Sequence, residues 1–216
     1  MLTEKPWIVE HRHALLVGSI LLTVPPLIFI FLIVPHALSP LHSPALFLIT
    51  FLGFFTLIMV EHYVFTLYTS ATRFAEILNA IQHEIVSAKI SGLEYSPVLT
   101  CKTLEHGEFS LKYFPGSRYS PAWYRLWITT NKPLPARETI FKKKGLLKKS
   151  PQLSERLKDR LLAEKLMALK SLKYIMTESK RDKNRLVAMF DDRIRYSETH
   201  DIIECLKLLR EIEEKL

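Results

Sequence analysis

Five lysines, Lys142, Lys143, Lys144, Lys148 and Lys149, surround a glycine and two leucines in the stretch FKKKGLLKKSP, Phe141 to Pro151. Ammonium groups crowded this closely attract phosphates, whether those of nucleic acid or those of lipid headgroups. Between Phe141 and Arg185 there are 15 Lys or Arg against 5 Asp or Glu, so the turn belongs to a longer cationic segment. These five lysines form the candidate anion- or lipid-binding site, with a plain solvated turn as the alternative reading. Catalytic patterns are weaker. Asp191 and Asp192 are adjacent, and neighbouring carboxylates on a strand point to opposite faces, where they share neither a proton nor a metal. His36 and His42 lack a carboxylate or thiol partner, and His83-Glu84 lacks the second histidine of HExxH. Cys101 and Cys205 form no CxxC, and Cys205 falls beside the apolar stripe of the last helix, as a core residue would. With six glycines, two of them inside apolar runs, no phosphate-cradling loop can be built. No catalytic residue, metal ligand or cofactor is expected.

The elements that must position these groups divide sharply by charge. Only Glu4, Lys5, Glu10, Arg12 and Glu61 are charged before residue 70, so 28 of 30 basic and 19 of 22 acidic residues follow it, a net of +9. Ala14 to Val34 is 21 residues without a charge, enough at about 1.5 Å per residue to cross roughly 30 Å of hydrocarbon. A second apolar run, Ala45 to Val60, continues through Tyr63 to Tyr68 and also reads as a span. The expectation is a transmembrane hairpin over residues 14–66 with an external loop at 35–44, after an N-terminal segment of residues 1–13. Pro25 and Pro26 would kink the first span. Glu61 and His62 read as an interfacial pair at the membrane end. Lys5 and Arg12 precede the first run, Arg73 and Lys89 follow the second, and none lies between, which places both termini in the cytoplasm.

Beyond the spans, Leu67, Ala71, Phe74, Leu78, Ile81, Ile85 and Ala88 alternate in steps of four and three, predicting an amphipathic connecting helix over 67–90. Its stripe either packs on its own domain or forms an oligomer seam through Phe74, Leu78, Ile81 and Ile85. Residues 91–216 read as a basic α+β domain. PVLTCKTL, EFSLKYF and AWYRLWITTN are strands, and RETIFKKKG is an edge strand suited to lysines. A helix starting at Ser150-Pro151 runs to about Thr177, RLVAMFDDRIRYS is a strand, and a last helix reaches Leu216. The predicted order is β-β-β-(β)-α-β-α.

This organisation predicts an integral membrane protein whose cytoplasmic domain is a non-enzymatic interaction or assembly module, its basic face meeting anionic headgroups. Membrane lipid is the expected partner, with a homodimer or larger membrane complex through the seam. Nucleic acid is not expected, because no RNA- or DNA-binding motif is present. Two other classes stay open: an enzyme acting on a membrane-associated or phosphorylated substrate, and a component of an oligomeric transport complex.

Overall fold

The computed structural model describes residues 5–28, 44–92, 97–116, 121–143, 152–154, 159–180, 183–191 and 200–216. The chain forms two compact units, one of Trp7–Thr72 and one of Met1–Pro6 with Arg73–Leu216.

The first unit holds a one-turn helix α1 (Trp7–Glu10), α2 (Arg12–Ile28) and most of α3 (Pro44–Ala80). The described part of α2 is 17 residues, about 25 Å of helix. Pro25 and Pro26 lie in its last turn, where each removes one backbone donor. By contrast, Thr50–Ala80 of α3 is long and apolar enough to cross a membrane, with a mean hydropathy of 1.5 in its most apolar stretch. Phe51, Leu52, Phe55 and Met59 are each more than half exposed, so these side chains find little cover within the chain. The hydroxyls of Thr56 and Thr66 donate to the carbonyls of Leu52 and His62 at 2.8 and 2.9 Å, which satisfies polar groups inside the apolar helix. The expected two-helix hairpin is therefore corrected: among the described residues one helix, α3, has the dimensions of a span. The uncharged run from Ala14 is helical as far as Ile28, and its remaining residues, like most of the expected external loop, lie outside the described residues.

The second unit is built on an eight-stranded sheet, every described pairing antiparallel, in the order β1-β2-β3-β4-β8-β7-β5-β6. The strands are β1 (Ile85–Ser91), β2 (Val98–Thr103), β3 (Glu108–Phe114), β4 (Trp123–Thr130), β5 (Thr139–Lys142), β6 (Gln152–Leu153), β7 (Leu172–Lys180) and β8 (Lys183–Asp191). Helix α4 (Arg160–Ala168) lies between β6 and β7 in the chain, and α5 (His200–Lys215) follows β8. The core face of the sheet alternates as half-buried strands must: Leu99 and Cys101 on β2, Phe109 and Leu111 on β3, Tyr124, Leu126 and Ile128 on β4, Ala188 and Phe190 on β8 are all buried. Helix α5 packs on β4 and β8 and buries Ile202, Cys205, Leu206, Leu209 and Ile212. At about 1.5–3 kcal/mol per buried Leu or Ile, this stripe is a main attachment of the helix.

Three departures from the predicted order have physical causes. Helix α3 stops at Ala80, and the β-branched residues Ile85, Val86 and Ile90 form β1, paired with β2 from Ser91↔Val98 to Ile85↔Thr103. The predicted helix from Ser150 to Thr177 shrinks to Arg160–Ala168, capped by Asp159, whose carboxylate accepts from Leu162 N at 3.1 Å. Leu172 and Ile175, three residues apart, mimic a helical face; the irregularity between Leu172 and Tyr174 on β7 lets both be buried on a strand.

Candidate anion-binding face

The predicted lysine cluster separates into different fates. Lys142 is exposed at the end of β5. Lys143 is half-buried, and its ammonium donates to the carbonyls of Met167, Leu169 and Lys170 at 3.2, 3.0 and 3.3 Å. It thus serves the C-terminal end of α4, where carbonyls are left without intrahelical partners. Burial is the main cause of a pKa lowered from the ordinary lysine value, with Lys173 adding to it while Asp201 and Asp191 oppose it. Lys144, Lys148 and Lys149 lie outside the described residues. Glu61 and His62 are exposed on α3. Phe74 and Leu78 are fully buried on α3, Ile81 just beyond it and Ile85 on β1 are buried too, so the chain's own packing occupies the proposed seam.

A different set of groups comes together on the sheet face opposite α5. Register places Ser110, Trp127, Val187 and Met176 in one row, Lys112, Arg125, Met189 and Tyr174 in the next, and Phe114, Trp123 and Asp191 in a third. Phe114 and Trp123 are stacked at 3.7 Å with rings 7° apart, and Lys112 Nζ lies 4.7 Å from the centre of Phe114. The guanidinium groups of Arg125 and Arg185 stand 5.9 and 5.5 Å from the Trp127 ring centre, cation–π contacts from both. Arg125 is ion-paired with Glu178, and Asp191 with Lys173 at 3.1 Å. Lys112 and Arg185 have no ion pair among the described residues, and the buried Nε of Arg185 has no hydrogen-bond acceptor. Lys112 sits directly opposite Arg125 in the register, a like-charge pairing. Burial first, and then the charge of Arg125, hold the Lys112 pKa below the ordinary lysine value. The alternation Trp123-Arg125-Trp127 and the strands holding Lys112 and Arg185 were visible in the sequence; the pairing that brings them beside one another was not, because pairing partners leave no local signal.

The other candidates are chemically quiet. His83 and Glu84 line a cleft of about 280 Å³ with Thr103, Leu104, Glu105 and Lys207, but Lys207 is already bonded to Glu204 at 2.9 Å. Asp191 serves its ion pair, while Asp192, His36 and His42 lie outside the described residues. Among the described residues no three His, Cys, Asp or Glu are grouped to hold a metal ion. Both cysteines are buried, and burial pushes the Cys101 thiol up to about 12, far from a reactive thiolate. Comparison of the chain with protein-family models, with curated proteins and with solved structures found no match in any of the three.

Proposed function

We propose that the chain is a membrane-anchored, non-enzymatic interaction or assembly module, held in a bilayer by α3, whose basic unit contacts anionic headgroups on the cytoplasmic side. One observation carries this reading: a helix long and apolar enough to span, whose large apolar side chains from Phe51 to Phe65 are mostly exposed, is followed in the same chain by a segment of net charge +9. Exposed Leu, Phe and Met in such density suit lipid, and each Lys or Arg near an anionic leaflet contributes about 1 kcal/mol. No Lys or Arg lies between Arg12 and Arg73, so the side of α3 that follows it carries the charge, which favours its cytoplasmic placement. The test is flotation of membranes after an alkaline wash. The chain is expected to float with lipid; its release, intact, into the soluble fraction refutes the anchor.

A further inference from the structure

The basic–aromatic sheet face has features that an ordinary solubilising surface does not need. Solubility is served by exposed lysines with freedom to move, whereas here Lys112, Arg125 and Arg185 are half-buried and laid against Phe114 and Trp127. Lys112 has no ion pair among the described residues, and Arg125 and Arg185 share one carboxylate in Glu178, which pairs with Arg125 and stands opposite Arg185 in the register. One buried guanidinium donor has no acceptor, and a lysine is placed opposite an arginine. Each of these is unfavourable, and anionic oxygen groups arriving beside Lys112 on β3 and beside Arg185 on β8 would relieve them. Aromatic rings beside such cations suit the boundary between headgroup and acyl chain, where Trp is enriched.

We infer that this face binds the phosphates of anionic phospholipid headgroups at two points, Lys112 beside the Phe114–Trp123 stack and Arg185 beside Trp127. The inference rests on the membrane-anchored reading above and moves its ligand contact from the lysine turn to the sheet.

The experiment uses the full chain carrying Trp7→Phe, so that fluorescence reports Trp123 and Trp127, the two remaining tryptophans. It is reconstituted in bilayer discs of phosphatidylcholine, or of an equal mixture with phosphatidylglycerol, and quenched with acrylamide. Quenching is expected to fall in the anionic discs and to recover in high salt. Lys112→Gln and Arg185→Gln should each weaken this protection, about fivefold in apparent affinity per charge removed, while Lys142→Gln leaves it in place. Lys112→Gln keeps the test decisive if Arg185→Gln fails to fold, because Lys112 makes no hydrogen bond or ion pair among the described residues. Equal quenching in both discs overturns the inference, as does equal protection in both. Protection by inorganic phosphate alone, or by a short single-stranded oligonucleotide added to phosphatidylcholine discs, overturns it in favour of a free-phosphate or a nucleic-acid site. Flotation separates the two levels: a chain that floats but whose tryptophans ignore lipid charge refutes this inference and leaves the anchor standing.

Discussion

At the scale of single residues, two positions carry more than their sequence context announces. Gly107 joins β2 to β3 with φ of +73°, and a Cβ there would lie 2.9 Å from Nη2 of Arg210. Arg210 has little freedom to retreat, since Nε donates to His106 O at 2.9 Å and Nη1 is bonded to Glu213 at 2.7 Å. Gly107→Ala is therefore expected to cost about 1–2 kcal/mol from the left-handed backbone alone, plus the clash. Thermal melts in detergent should show a smaller loss for the same substitution in an Arg210→Met background, where only the backbone cost remains; equal losses would remove the arginine from the explanation. The second position is Lys143. Its three carbonyl contacts make it part of the helix end, so Lys143→Met should lower stability by about 1–2 kcal/mol, while Lys142→Met leaves the melt unchanged. The sequence presented these two lysines as equivalent members of one cluster, and only the return of the chain from α4 past β5 distinguishes them. Replacing the whole cluster at once would confound ligand contact with loss of this cap.

At the scale of elements, what was legible followed from strict alternation. β3, β4, β8 and α5 were readable because one face of each meets the core, so residues such as Phe109, Leu126 and Leu209 repeat at the period of their element. The reading failed at Ile85 and at Leu172 to Ile175, where β-bulges let strand residues imitate helical spacing. The candidate face was half legible: one strand's share of it could be read, and the register that completes it could not. Between α4 and α5 the tie is ionic and was hidden in sequence: Lys215 bonds both Asp159, the N-cap of α4, and Glu211 at 2.8 Å. The Lys215 hydrogen bonds are the leading cause of the lowered pKa of Asp159 and of Glu211, with the Leu162 N–H next for Asp159. Lys215 is in turn raised, by Asp159 first and then Glu211. Because the acids are depressed, their contribution is present above the ordinary values of 3.8 and 4.5 and is lost as pH falls through their folded pKa values. The raised lysine contributes fully below 10.5 and loses its share as pH rises through its folded pKa. Urea midpoints of wild type and Lys215→Met should thus differ most between these limits and converge in strong acid. A gap that persists unchanged in strong acid, where both carboxyls are protonated, would show packing, not charge, to be the cause.

At the scale of the whole molecule, the charge asymmetry sets the problem that the two units solve. Apolar residues concentrate before residue 70 and cations after it, so the chain carries one segment suited to hydrocarbon and another suited to a polyanion. The +9 segment is hard to draw through a bilayer, whereas the stretch from Arg12 to Arg73 has no Lys or Arg to retain. That asymmetry predicts the side on which the sheet unit lies, but the native cysteines cannot report it. Cys101 and Cys205 are both buried in the core, so they would escape a maleimide on either side of the membrane. A reporter must instead sit on an exposed position off the candidate face, and Ser179 near the end of β7, on the strand side shared by buried Ile175 and Thr177, meets that need. Ser179→Cys is expected to stay unlabelled by a membrane-impermeant maleimide in intact cells and to become labelled once the membrane is permeabilised. The parent chain, treated identically, should remain dark in both states, which isolates the signal to the new thiol. Labelling of intact cells would place the sheet unit outside and set the positive charge on the wrong side for an anionic inner leaflet. The headgroup proposal would then lose its polyanion even if α3 spans the membrane as expected.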